Sequence, residues 1–157
     1  MAGKTAALDR KVPDFSLPSS SGKAWKLSES AGRKVVVYFY PKDNTSGCTR
    51  ESVAFRDLHA EFRKAKAVVV GVSPDSVASH CRFRDKFDFP FELLSDEEQA
   101  ACRLFGVWKE KSLYGRKYMG VERSTFLIDA AGVLRREWRK VKVDGHAEEV
   151  LAAAKAL

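Results

Sequence analysis

The chain has 157 residues, a formal charge of +7 and three cysteines. A chain of this length fits one domain that buries roughly 70% of its unfolded surface without disulfide staples, and three unevenly spaced cysteines exclude a secreted disulfide framework. The longest apolar run, residues 35–40, is far short of the roughly 20 residues of a membrane span, and the N-terminal MAGKTAALDRKVPDF lacks the apolar core of a secretory signal; together these point to a cytoplasmic protein with no membrane partner.

Taken in chain order, DFSL and AWKL on either side of the turn SSSG predict a small leading hairpin. Residues 35–40, VVVYFY, are β-branched and aromatic and stop at Pro41, which cannot extend a ladder; this predicts a buried central strand. After KDNTSG, Phe55, Leu58, Phe62 and Ala65 recur at helical spacing and predict a helix over 46–65 with Thr45 as N-cap. A strand over 67–73 follows, then a helix reaching residue 87, with Ser73 as N-cap and Pro74 as its first residue. FELLS predicts a third strand and DEEQAACRLF a short helix stopped by Gly106. STFLID, the turn AAG and VLRREWRKV predict an antiparallel hairpin, and residues 146–157 a C-terminal helix. The result is one α/β domain with a central mixed β-sheet flanked by helices on both faces.

The positive charge suits nucleic acid best at RREWRKVK, residues 135–142, where basic residues surround Trp138. Elsewhere bases alternate with acids, as in RESVAFRD, and no zinc-finger, P-loop or RNA-recognition motif accompanies them, so no nucleic-acid partner is expected. His80 and Cys81 are merely adjacent, and His59 and His146 lack ligand-like partners, so no metal is expected.

Cys48 stands where chemistry is favoured. The turn after a central strand opens at the carboxyl edge of the sheet, where open α/β sheets bind ligands. With Thr45 as N-cap, Cys48 is the third helical residue, where unpaired backbone N–H groups and the positive end of the helix dipole favour a thiolate nucleophile. The first position of T-S-G-C is Thr45 rather than a second cysteine, which excludes dithiol exchange within the turn. Six residues beyond Cys48 stands Ala54, so the arginine of a cysteine-phosphatase loop is missing. A lone thiol with the Thr45 hydroxyl three residues before it suits a small oxygen-rich substrate; the alternative at this point is a buried cysteine acting as a small apolar side chain.

PKDNTSGC resembles the P-x-x-x-T-x-x-C signature of the peroxiredoxins, with Pro41, Thr45 and Cys48 in register. GCTRE with FRD, GVSPDSVASH, PFELLSD, LYGRKYMGVERSTFLID and WRKVKVDGHAEEVL resemble the bacterioferritin comigratory protein, or peroxiredoxin Q, branch over nearly the whole chain. The resemblance implies a thioredoxin-like fold and reduction of hydrogen peroxide and organic hydroperoxides with no bound cofactor. Cys48 would be the peroxidatic nucleophile, Thr45 would hydrogen-bond the substrate oxygen, and Pro41 would shield the site. Arg123, in GVERSTF, matches an arginine that approaches the sulfur from a neighbouring strand, where a fixed guanidinium stabilises charge on the thiolate and on the breaking O–O bond. Glu51, one helical turn beyond Cys48, would orient that arginine. Ser46 stands where the branch usually has proline, so the first helical turn is expected to be less rigidly preset. From the residues alone, Pro41 reads equally as a strand end, Arg123 as a solvated strand residue and Glu51 as a carboxylate favoured by the helix dipole.

Members of the branch resolve the sulfenic acid with a second thiol, either five residues after the nucleophile, here Val53, or in the following helix at the position of Arg84. This sequence offers Cys81 instead, on the same helix face and about 5 Å nearer the helix start, with Arg82 and Arg84 beside it. A Cys48–Cys81 disulfide needs α-carbons within about 7 Å, which implies that one or both helix starts unwind during turnover. Its reductant would be thioredoxin, and the branch is often monomeric. Cys102 reads as a packing residue, and Trp108 and Tyr114 either line the substrate approach or pack. Two other readings stay open: a one-cysteine peroxidase recycled by an external thiol, and a non-enzymatic thioredoxin-fold binding module.

Overall fold

The computed structural model describes residues 5–157; the first four residues of the segment read for a secretory core lie outside the described residues. Ser16–Pro18 (β1) and Ala24–Lys26 (β2) pair antiparallel as the expected leading hairpin. Lys34–Phe39 (β3) leads through the turn to Ser46–Asp57 (α1) and His59–Lys64 (α2), followed by Ala67–Ser73 (β4), Val77–Phe87 (α3), Glu92–Ser95 (β5) and Ala100–Leu104 (α4). Trp108–Leu113 (β6) and Arg116–Val121 (β7) form a second hairpin, and Ser124–Ile128 (β8), Leu134–Trp138 (β9) and His146–Ala156 (α5) complete the chain.

The main sheet has the order β5-β4-β3-β8-β9 and is mixed: β3 pairs in parallel with β4 and antiparallel with β8. Alternation along β3 explains its central place. Val35, Val37 and Phe39 enter one core, while Val36, Tyr38 and the following Tyr40 enter the other. The second core is covered by α1, α2, α3 and α5 through Phe55, Phe62, Phe83 and Val150. The first is closed by α4 and the N-terminal segment through Cys102, Val12, Leu17 and Leu27. Helices do lie on both faces, unequally shared. Gly71 in β4 makes the Tyr38 position possible, because a Cβ there would stand 2.7 Å from the Tyr38 Cζ. The phenol thereby reaches Ser52 Oγ at 2.9 Å and its ring stacks on Phe55.

Three local expectations are corrected. The helix over 46–65 is two helices, because the backbone leaves helical geometry at Leu58 (φ −99°, ψ 3°), while Phe55 and Phe62 on either side stay buried against the sheet. The N-cap of α3 is Ser76, whose side chain accepts from the Ser79 N–H at 3.1 Å; Ser73 ends β4 and donates its hydroxyl to Asp75 instead. The β6–β7 hairpin has no counterpart among the predicted elements. It turns at Tyr114 and Gly115, both with positive φ (52° and 77°), the geometry of a two-residue hairpin turn.

Candidate active site

The register of β3 with β8 sets Phe39 opposite Ser124, so Arg123 lies beside the point where the chain leaves β3 for α1. Thr45 is the backbone N-cap of α1: its φ and ψ are −88° and 157°, and its carbonyl accepts from the Thr49 N–H at 2.8 Å. Its hydroxyl does not cap. Thr45 Oγ1 donates to the Lys42 carbonyl at 3.0 Å, which commits its proton and leaves its lone pairs to accept. Pro41 is half-buried at the end of β3, and Ser46, where the branch usually carries proline, still opens α1.

Cys48 and Glu51 sit one turn apart on α1, each 1% exposed. Arg123 bridges them: Nη2 donates to Cys48 Sγ at 3.2 Å and Nη1 to Glu51 Oε1 at 2.6 Å. Gly47 leaves room for this approach, since a Cβ there would come within 3.3 Å of Arg123 Nη2. Burial pushes the Glu51 carboxyl up to about 7 against the pull of Arg123, and its second oxygen, Oε2, has no hydrogen-bond partner among the described residues. Burial works against the Arg123 charge, but Glu51 and then Cys48 outweigh it and raise the guanidinium above its ordinary value. The site therefore holds a buried sulfur in contact with a fixed cation, and a carboxyl that orients that cation from behind.

Cys81 is half-buried on α3 and is not brought against Cys48. Its thiol donates to the Ser20 carbonyl at 3.3 Å. Arg84 meets the same turn, donating to Ser20 Oγ at 3.4 Å and to Glu92 at 3.1 Å, so positions 81 and 84 do share a helix face. Cys102 is fully buried, and burial followed by the Asp96 charge pushes its thiol far up, in keeping with a packing role. All three cysteines are free.

A second buried assembly, legible only in three dimensions, lies under the turn before α1. Asp43 accepts from Tyr40 Oη at 2.6 Å, from Ser79 Oγ at 2.7 Å and, through Oδ2, faces His80 Nδ1 at 2.7 Å. The other His80 nitrogen faces the Leu94 carbonyl at 2.9 Å, and Asp75 binds the Asp43 N–H at 2.8 Å. Asp43, Asp75 and His80 are close enough to share a cation, but their polar atoms are already bonded to one another and to Ser73. The network ties the Cys48 turn to the helix that carries Cys81.

The β6–β7 hairpin walls an open basin beside Arg123, with Lys109, Lys111, Tyr118 and Lys140 around it. Trp108 and Tyr114 do not line it: Trp108 packs against the first core and Tyr114 stands 97% exposed at the hairpin tip. The basic run of β9 is largely engaged within the molecule. Arg135 pairs with Asp129 and Asp9, Arg136 lies over the Trp138 ring, and Arg139 donates to the carbonyls of Phe105 and Gly106. Among the described residues, no helix is long and apolar enough to cross a membrane.

Comparison with known proteins agrees with this arrangement. Residues 8–137 match the AhpC/TSA family. Peroxiredoxin Bcp of Bacillus subtilis is 49% identical over 151 residues, covering 96% of each chain, and that of Xanthomonas campestris is 50% identical over 153 residues with the same coverage. Among solved structures, the X. campestris bacterioferritin comigratory protein, studied for its alkyl peroxide reduction activity, superposes with a TM-score of 0.87 at 51% identity over 90% of each chain. Xylella fastidiosa PrxQ superposes with a TM-score of 0.91 at 41% identity over 98% of each chain. A thioredoxin-like fold, a cysteine at the first turn of α1 and whole-chain similarity agree, and the chain belongs to the AhpC/TSA family, in its Bcp/peroxiredoxin Q branch.

Proposed function

We propose that this thiol peroxidase reduces hydrogen peroxide and organic hydroperoxides at Cys48. The observation that carries the reading is the single guanidinium of Arg123 held by Glu51 and donating to the Cys48 sulfur. The Cys48 thiolate attacks the terminal oxygen of R–O–O–H. An S–O bond forms, the O–O bond breaks, sulfur loses two electrons to the peroxide, and the leaving RO⁻ takes up a proton as water or alcohol. Arg123 touches the sulfur and stands where charge spreads onto the oxygens, so its stabilisation grows towards the transition state. Thr45 Oγ1, its own proton engaged by Lys42, accepts the hydrogen of the incoming hydroperoxide and orients it, while Pro41 limits access of water.

Cys81 then attacks the Cys48 sulfenic acid, releasing water and forming a disulfide, which thioredoxin reduces by dithiol exchange. The chain acts as a monomer in the cytoplasm, a reducing compartment suited to its free cysteines. Because the Cys81 thiol faces Ser20, this route requires its helix start to open; the same observation favours the second reading, a one-cysteine peroxidase recycled by an external thiol. Mass spectrometry after one equivalent of hydrogen peroxide decides between them. An intramolecular bridge between the Cys48 and Cys81 peptides, lost in Cys81→Ser with sulfenic acid accumulating at Cys48, supports the first. Stable sulfenic acid in the wild-type protein overturns it in favour of the second, and an unoxidised Cys48 with no peroxide consumed overturns both.

A further inference from the structure

The β6–β7 hairpin contributes side chains to the active-site basin that the peroxidase chemistry above does not use. The antiparallel register pairs Lys111 with Tyr118 and Lys109 with Gly120, so these residues share one face of the hairpin, with Leu113 following on the same face. Lys109, Lys111 and Tyr118 of that face line an open basin of about 770 Å³ together with Glu110, Ser112, Glu122, Arg123 and Lys140.

Lys111 is unusual among these cations. Its stem is laid across Gly120: a Cβ at that position would stand 3.3 Å from Lys111 Cδ and 3.6 Å from Cε, and 3.4 Å from the Tyr118 ring. The missing side chain of Gly120 is thus the groove that the stem occupies, with Tyr118 beside it. The ammonium is held half-buried, and burial followed by repulsion from Arg123 lowers its basicity, against the pull of Cys48 and Glu122. Two like charges, Lys111 and Arg123, therefore line one basin. Among the described residues, Lys109, Lys111 and Lys140 have no carboxylate ion-pair partner, and Glu110 on the same rim is engaged by Lys117 at 3.7 Å. An anion entering this basin meets ammonium groups that no carboxylate pairs among the described residues, with Glu122 as the opposing charge in the lining, and it relieves the repulsion between Lys111 and Arg123.

We infer that Lys111 is the anion-binding element of a substrate subsite, and that the favoured substrates are organic hydroperoxides carrying a carboxylate near the O–O group, their carbon chain lying on Tyr118. The inference rests on the peroxidase reading, since Arg123 must hold the O–O group while Lys111 holds the carboxylate.

The test compares a short tertiary hydroperoxide bearing a carboxylate with its primary amide, which keeps the shape and removes the charge. For the wild-type protein, kcat/KM is expected to be roughly five- to tenfold higher for the acid than for the amide, the scale of a partly buried charge-assisted hydrogen bond. The preference should shrink as salt is raised. In Lys111→Gln the acid-to-amide ratio should fall to about one, and in Lys111→Arg it should be largely kept. A wild-type ratio near one overturns the inference. So does a Lys111→Gln variant that keeps the wild-type ratio, including one that loses both substrates equally, because Lys111 would then serve only to place Arg123. If the wild-type protein consumes neither compound nor hydrogen peroxide, the peroxidase reading itself fails, an outcome distinct from a lost preference.

Discussion

Glu51 offers a quantitative check on the electrostatics of the site. Its folded-state pKa is raised from 4.5 to about 7 by burial, so between those values the unfolded chain has released a proton that the folded protein still holds. Stability therefore falls as pH rises across this window, is fully favourable below the unfolded value, and levels off above the folded one. The difference integrates to about 3 kcal/mol. In Glu51→Gln the side chain keeps its shape and its acceptor for Arg123 but cannot ionise, so this slope disappears. Urea unfolding of both reduced proteins from about pH 4.5 to 8 should show the wild type losing about 3 kcal/mol relative to the variant, with most of the change between about pH 5 and 7. Parallel pH profiles would refute the reasoning, because they would mean that Arg123 fully offsets the desolvation of the carboxylate in the folded state.

Two glycines make sharper steric predictions. Gly47→Ala would set a methyl 3.3 Å from Arg123 Nη2; helix propensity favours the alanine by up to about 1 kcal/mol, so the melting temperature should hold or rise while kcat/KM for hydrogen peroxide falls roughly three- to tenfold. An unchanged rate would show that the guanidinium position is not critical. Gly71→Ala would drive a methyl to 2.7 Å from the Tyr38 ring, and denaturant unfolding should report a loss of about 1–3 kcal/mol, with activity per folded molecule largely kept.

Much of the fold is legible in the amino-acid sequence because the residues that make it obey local rules. The unbroken apolar run of residues 35–40 marks a strand buried on both faces, and Gly106, with φ +67°, ends α4 as a left-handed helix stop. The β6–β7 hairpin is not legible in this way because most of it is exposed on both faces: LYGRKYMG has no apolar–polar alternation, and its only local signal is the Tyr114-Gly115 turn. The same distinction runs through the site. Cys48 and Thr45 are legible from their place at a helix start, whereas Arg123 and Glu51 rest on resemblance, with the structure setting their distances. Asp43 is invisible in the sequence because an aspartate in KDNTSG reads as an exposed turn residue, whereas its partners Ser79 and His80 lie 36 and 37 positions away. Lys111 is invisible for a related reason: only the pairing with Tyr118 and the bare Gly120 lay a surface lysine's stem into the wall of the basin that Arg123 also lines.

The Asp43 carboxylate also links two motions that the sequence would treat as separate. It is buried, and two of its three side-chain donors come from the first turn of α3 while the third comes from Tyr40. If α3 frayed alone, Asp43 would lose the Ser79 and His80 contacts and keep only Tyr40, at a cost of about 1–3 kcal/mol. The less costly path releases the aspartate into water together with the turn that precedes Cys48. One carboxylate thus couples two stretches of chain far apart in the sequence, so that loosening either one costs hydrogen bonds held by the other.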